Sequence, residues 1–275
     1  MGVNLTPLIL KQTLSLDDLR GKSLAVDASN YLYQFLALIR TRDGTPLKDK
    51  NGNITSHLAG LLFRSTRLIQ DYEIKLIFVF DGKPPIQKDN EIIKRRAQRE
   101  KALTEYKQAL EKGDLTTAWS KAVMTSRLTK PLIEDAKRLL ALLGIPYLQA
   151  PSEAEAQTAY MVRKGDVWAA SSKDYDSLIF GAPRLLRYLT IYGREFYPSK
   201  GTSKPLRPEL MELEKILTFH GITQRQLIDI AILIGTDFNR GIKGIGPKTA
   251  LELVKKYRSI ENLPPNVKSG WLINS

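Results

Sequence analysis

Three short apolar runs in this chain each stop at an acid. Ser23–Val26 ends at Asp27, Lys75–Phe80 ends at Asp81, and Val167–Ser172 is followed by Asp174 and Asp176 on either side of Tyr175. Runs of this length between polar or glycine-bearing segments read as buried strands. The intervening stretches carry apolar residues at helical spacing: Tyr31, Phe35, Leu38 and Ile39 after the first run, then Leu58, Leu61, Leu62, Thr66 and Ile69 across Ser56–Tyr72. Strands alternating with helices predict an α/β fold, with a mainly parallel central sheet flanked by helices. Ligands bind such sheets beyond the carboxyl ends of the strands, where these acids fall.

The connecting segments predict the rest. Asp43-Gly44 and Asn51-Gly52 suggest a small hairpin between Arg42 and Asn53. Gly82-Lys83-Pro84-Pro85 ends the second strand, and from Lys88 to Lys101 the chain carries six basic residues against three acids. A helix with so narrow an apolar stripe is expected to project from the body or line a groove, or else to be an ordinary solvated face. Trp119–Leu143 returns to the body through Leu139, Leu140, Leu142 and Leu143. A helix runs from the acidic stretch to about Lys164, and Tyr188–Tyr197 reads as outlying strands. Helices are expected at Pro208–His220 and Thr223–Ile234, the latter ending at Gly235-Thr236-Asp237. Gly241–Ala250 opens a last helix with Pro247 in its first turn. Glycines at a helix start let backbone N–H groups approach a phosphate, with Lys243 and Lys248 adding charge, although glycine-rich turns also occur without a ligand.

Composition narrows the chemistry. The 275 residues are 43% apolar, enough for a sizeable core, and no run resembles a membrane span or a secretion signal, so an intracellular protein is expected. There is no cysteine and only His57 and His220, which excludes disulfides, thiolate zinc sites and cysteine nucleophiles. A net charge of +13 favours a polyanionic partner, nucleic acid before membrane.

The sharpest local feature is Pro151-Ser152-Glu153-Ala154-Glu155-Ala156. Ser152 with Glu155 fits a capping box. Capping does not explain why Asp27, Asp81, Glu153, Glu155, Asp174, Asp176 and Asp237 all fall at expected element ends. Seven carboxylates brought together would repel and raise one another's pKa values unless cations neutralised them. Oxygen-only ligation suits Mg²⁺ or Mn²⁺, and two such ions about 4 Å apart hydrolyse phosphodiesters by activating water and stabilising the leaving oxygen.

Eight blocks, taken together, carry a resemblance. They are Met1-Gly2-Val3, Val26-Asp27-Ala28-Ser29, Tyr33-Gln34-Phe35-Leu36, Val79–Pro85, Gly144-Ile145-Pro146-Tyr147, Ala150–Ala156, Gly235-Thr236-Asp237 and Gly244–Lys248. Their order and spacing resemble the flap endonucleases, structure-specific 5′ nucleases of replication and repair, in an archaeal-type form. The resemblance implies endonuclease and 5′–3′ exonuclease action on branched or flap DNA with two Mg²⁺ ions, for which Mn²⁺ substitutes. It makes Asp27, Asp81, Glu153 and Glu155 ligands of one metal, and Asp174, Asp176 and Asp237 ligands of the other. Lys88 and Arg95 match basic residues at the scissile phosphate; Gln98 stands where members carry a further basic residue, which leaves Arg99 open. Gly2, Tyr33, Arg40 and Arg64 match DNA-contacting positions, and Tyr33 is an aromatic on which a base stacks. Lys243, Gly244, Gly246 and Lys248 match an element that grips duplex backbone through a K⁺ ion. Lys173 replaces an acid common in the family.

The resemblance also implies one nuclease domain over 1–275: an N-terminal catalytic region at 1–88, a helical arch at 89–130, an internal catalytic region at 131–200, and a helix-turn-helix-like duplex-binding region at 208–260. Members end in a tail that docks on the sliding clamp; no such motif is visible near Trp271–Ser275. An archaeal source would make the protein cytoplasmic. Two rivals stand beside the nuclease: a junction-binding protein without catalysis, and a single-strand ribonuclease of small α/β type.

Overall fold

The structure, a computed structural model, describes residues 2–41, 43–83, 85, 89–189, 194–197, 202–265 and 267, with backbone alone at 89–92, 94, 194–197 and 202–205. In chain order the elements are β1 (Gln12–Thr13), β2 (Ser23–Asp27), α1 (Ala28–Leu38), α2 (Ser56–Tyr72), β3 (Lys75–Phe80), α3 (Asp89–Glu111), α4 (Leu115–Met124) and α5 (Lys130–Leu142). There follow β4 (Tyr147–Gln149), α6 (Ala154–Lys164), β5 (Ala169–Ser171), α7 (Asp176–Ile179), β6 (Arg184–Arg187), β7 (Arg194–Tyr197), β8 (Thr202–Pro205), β9 (Glu209–Glu212), α8 (Leu213–His220), α9 (Gln224–Ile234) and α10 (Pro247–Tyr257). The expected α/β class is observed. The chain forms two compact units: Arg20–Pro84 with Asp89–Ala154, and Met1–Leu19 with Pro85–Lys88 and Glu155–Ser275.

In the first unit β2, β3 and β4 pair in that order, all parallel. Their core side chains are the apolar runs themselves, Leu24, Ala25 and Val26 beside Phe78, Val79 and Phe80, all buried. Such two-sided burial is why these strands read as continuous apolar stretches rather than as alternation. Helices α1 and α2 pack closely because Gly60 leaves room for Phe35; a Cβ there would sit 2.3 Å from the ring. His57, on α2, is fully buried and neither ring nitrogen has a hydrogen-bond partner.

The basic helix α3 packs lengthwise on α4 through small side chains, with Ala102, Ala109, Ala118 and Ala122 all buried and Lys121 Nζ 2.6 Å from Glu105. The narrow apolar stripe is thus an alanine seam for one partner helix. The segment read as continuous from Trp119 is two helices, broken at residues 125–129. In place of a strand hairpin at 42–53 there are isolated bridges, Arg40 to Pro46 and Lys48 to Ile54, around turns at Gly44 and Gly52.

In the second unit the strand order is β1, β9, β6, β5; β5 and β6 are parallel, and β9 runs antiparallel to both β6 and β1. The expected helix at Pro208–His220 is corrected here: Glu209–Glu212 is a strand and the helix starts at Leu213. Leu210 and Met211 are both buried between flanking strands, so tertiary pairing overrides a locally helix-compatible sequence. β6 belongs to this sheet, while β7 and β8 pair separately. Thr223 caps α9 in a capping box with Gln226.

Two outcomes follow from these contacts. A Cβ on Gly82 would lie 2.2 Å from the Ala150 carbonyl oxygen, so Gly82→Ala is expected to lower unfolding free energy by about 1–3 kcal/mol in urea titrations. Burial pulls the His57 pKa below its ordinary 6.5, only partly opposed by the nearby Asp135 charge. The unfolded chain therefore takes up this proton before the folded one. Stability is full above about pH 6.5 and falls as pH drops towards the folded value. In parallel titrations His57→Leu should flatten that part of the slope.

Candidate active site

The first unit brings three of the expected carboxylates to the carboxyl ends of adjacent strands. Asp27 is the last residue of β2 and its Cα partner is Val79, two residues before Asp81. It is 6% exposed, and its Oδ1 caps α1 by accepting the Asn30 N–H at 3.0 Å. The end of β3 is clasped to the entry of α6: the Ala150 N–H donates to Phe80 O at 2.8 Å, and the Gly82 N–H to Ser152 O at 2.5 Å. Asp81 Oδ1 accepts the Ala154 N–H at 2.9 Å, which sets Asp81 beside Glu153, itself 8% exposed. A free N–H at a helix start is a strong partner for a carboxylate. The first turn of α6 is thus served by an acid 73 residues away, a partner that the Ser152/Glu155 pattern does not contain.

The second unit holds the other four. Buried Ser172 links two of them: its hydroxyl donates to Glu155 Oε1 at 3.4 Å, and its oxygen accepts the Asp174 N–H at 3.3 Å. Asp176 begins α7, and its Oδ1 accepts the Val3 N–H at 2.9 Å. Gly2 lies against the same carboxylates; a Cβ there would be 2.7 Å from Asp176 Oδ1 and 2.9 Å from Asp174 Cβ. Asp237 follows α9 in a turn braced by the Thr236 hydroxyl donating to Asn239 Oδ1 at 2.8 Å and Asn239 Nδ2 donating to Ile232 O at 2.7 Å. Its neighbours Thr236, Phe238 and Asn239 line a cavity of about 430 Å³ together with Asp176, Ile179 and Phe180.

The donor set fits hard, oxygen-seeking divalent cations. Every expected ligand is a carboxylate, cysteine is absent, and both histidines are engaged elsewhere, His57 inside α2 and His220 against Leu8 O. Among the described residues, no three His, Asp or Glu side chains stand close enough to hold an ion as placed; backbone N–H donors hold Asp27, Asp81 and Asp176, and the Ser172 hydroxyl holds Glu155.

The basic and aromatic positions are also placed. Tyr33 is 39% exposed on α1. The Arg40 guanidinium donates to Ala37 O at 3.2 Å, Gly44 O at 2.6 Å and Ser126 Oγ at 2.7 Å, three of its five N–H groups. Arg64 lines a cavity of about 360 Å³ with Leu47, Phe63 and Arg67. Arg95 and Arg99 lie one turn apart on α3, the Arg99 Nε–H donating to Arg95 O at 3.2 Å. Lys88 lies outside the described residues. In the glycine-rich turn Gly244 has φ +87°, Gly246 precedes α10, and Lys243 and Lys248 are exposed. Gly241, at φ +66°, approaches Ile234 so closely that a Cβ would lie 2.4 Å from its carbonyl. Sequence reasoning missed Ser172 and the packing role of Gly2; neither carries a local signal.

The chain matches the XPG N-terminal domain over residues 1–102 and the XPG I-region over residues 144–237, and all seven carboxylates fall inside these two blocks. It is therefore a nuclease of the XPG class. The chain is 52% identical over 268 residues to Flap endonuclease 1 of Staphylothermus marinus, covering 96% of this chain and 76% of that protein. It is 54% identical over 256 residues to Flap endonuclease 1 of Pyrococcus abyssi, covering 93% and 74%. Among solved structures, flap endonuclease-1 from Methanococcus jannaschii superposes with a TM-score of 0.71 at 43% identity, over 99% of this chain and 84% of that one. The catalytic core of Rad2 in complex with DNA substrate gives 0.66 at 27% identity, over 94% and 68%. The chain belongs to the flap endonuclease family, structure-specific, metal-dependent nucleases that hydrolyse DNA phosphodiester bonds in replication and repair. No helix among the described residues is long and apolar enough to cross a membrane.

Asp81 is expected to have two separable duties. Asp81→Asn keeps an acceptor for the Ala154 N–H and should leave stability near that of the parent, whereas Asp81→Ala should cost about 1 kcal/mol as a lost cap. Both should lose nuclease activity; thermal denaturation beside cleavage assays separates the effects.

Proposed function

We propose that the protein cuts the phosphodiester at the junction of a single-stranded 5′ flap and duplex DNA, with two Mg²⁺ ions as cofactor and Mn²⁺ as a substitute. The observation that carries this is the carboxylate set at strand and helix ends, Asp27, Asp81 and Glu153 in one unit and Glu155, Asp174, Asp176 and Asp237 in the other, in a chain about half identical to flap endonucleases. Asp27, Asp81, Glu153 and Glu155 are assigned to one ion, and Asp174, Asp176 and Asp237 to the second. When bound, the ions activate the attacking water and stabilise the leaving oxygen.

The chain's own residues do the rest. Lys88 and Arg95 offset charge on the scissile phosphate, Tyr33 stacks on a neighbouring base, and Gly2, Arg40 and Arg64 contact the DNA. Backbone N–H groups of Gly244 and Gly246, with Lys243, Lys248 and a K⁺ ion, hold duplex phosphates. The segment from residue 89 to 130 forms the arch through which the flap passes. The known activity of the relatives and the excess of basic residues support an intracellular role on branched DNA.

End-labelled double-flap DNA tests the reading. Mg²⁺ should give one main product released from the 5′ flap, and chelator should abolish it. Asp176→Asn should cut more than about 100-fold more slowly, the scale on which removing a preorganised electrostatic group acts, while still binding the junction. Parallel loss of binding and cleavage would favour a junction-binding protein, and equal cleavage of flapless RNA a ribonuclease.

A further inference from the structure

We propose that Arg187 is a positioning residue for the Asp174–Asp176 carboxylate pair, acting through the side chain of Tyr175. The proposal rests on the assignment of these aspartates as metal ligands and adds what fixes their placement. Tyr175 stands between them in sequence and is buried. Its hydroxyl accepts a hydrogen bond from Arg187 Nη1 and lies 3.4 Å from Thr6 Oγ1. The guanidinium carbon sits 4.4 Å from the Tyr175 ring centroid and 4.7 Å from that of Tyr188, whose hydroxyl accepts Nη2–H at 3.0 Å. One planar cation therefore grips two tyrosines by face and by hydroxyl, a geometry open to arginine and closed to lysine.

The acid nearest in register is passed over. Arg187 on β6 pairs across the ladder with Glu209 on β9, yet Glu209 Oε1 takes Lys11 Nζ at 2.5 Å. Arg187 Nε and Glu209 Oε2 are both buried without a hydrogen-bond partner. A guanidinium that forgoes part of an ion pair in favour of two phenol groups is placed for them. Tyr188 also adopts a left-handed backbone, φ +59°, which a non-glycine residue holds only when its surroundings impose it.

The consequence reaches the carboxylates through the backbone. Tyr175 is the N-cap position of α7, so locking its ring at the hydroxyl and the face fixes where Asp174 and Asp176 leave the chain. Ser172 holds the Asp174 N–H from one side and the Val3 N–H holds Asp176 from the other. Without Arg187 the ring regains rotational freedom, and the two carboxylates lose the sub-ångström placement that a metal pair demands.

The test uses the full chain as Arg187→Met, Arg187→Lys and Tyr175→Phe variants. Mn²⁺ affinity of the metal-free protein is measured by electron paramagnetic resonance, with flap cleavage, flap-DNA affinity in chelator and thermal unfolding alongside. Arg187→Met should weaken Mn²⁺ binding and kcat by about 10–100-fold, the usual cost of losing a residue that orients metal ligands, with DNA affinity in chelator unchanged. Tyr175→Phe should move both in the same direction by less, and Arg187→Lys should not restore them. Undiminished Mn²⁺ affinity in Arg187→Met, or full recovery with lysine, would overturn the proposal. If Arg187→Met does not fold, Tyr175→Phe decides: parent-like metal affinity overturns it. Asp176→Asn is the control, since its retaining Mn²⁺ affinity and cleavage would sink the metal-ligand assignment itself rather than the positioning role.

Discussion

Negative charge held at strand ends is the constraint on which the rest of this molecule depends. Carboxylates at the mouths of neighbouring strands repel one another. Each unit answers with donors built into its backbone. Asn30 N–H serves Asp27, Ala154 N–H serves Asp81, and Val3 N–H serves Asp176. Hydrogen bonds to charged groups contribute roughly 1.5–3 kcal/mol each, enough to keep anions in place on a marginally stable fold. Two of these three donors come from helix starts, where the orphan N–H groups and the helix dipole both favour an anion.

Close packing of backbone makes that arrangement possible. Gly82 lets the end of β3 lie against residues 150–152, and Gly2 lets the N-terminal segment lie against Asp174 and Asp176. A single methyl at either position would enter van der Waals space already filled by a carbonyl or a carboxylate. The glycines of the 241–246 turn act differently: Gly241 and Gly244 take left-handed backbone, and Gly241 also lies against Ile234, so the chain can turn from α9 into α10. The seam of buried alanines between α3 and α4 applies the same economy of side-chain volume to the basic segment, where Arg96, Lys101 and Lys107 are exposed.

Much of the fold was legible because buried parallel strands and amphipathic helices write themselves plainly. The bounds of α2 and β3 fall where the apolar pattern put them, and β2 extends one residue further, to the acid that ends it. β9 was not legible: Glu-Leu-Met-Glu followed by Leu-Glu-Lys-Ile continues a helical spacing, and only pairing with β6 and β1 makes its first four residues a strand. The carboxylates were visible as a pattern of endings. Their holders were not, since Ala154, Val3 and Ser172 have no side-chain signature of holding an acid.

The sequence by itself determined the α/β class, the acids at element ends, the oxygen-only chemistry and the cationic excess, because composition, periodicity and local turn chemistry fix those without reference to distant residues. Only tertiary structure decided which donor serves which carboxylate, that Gly2 must be small, that Arg187 grips tyrosines rather than its neighbouring glutamate, and that Glu209–Glu212 is a strand. The physical reason is range. Those outcomes come from hydrogen bonds and packing between residues tens to more than a hundred positions apart, and such contacts exist only once the chain has closed on itself.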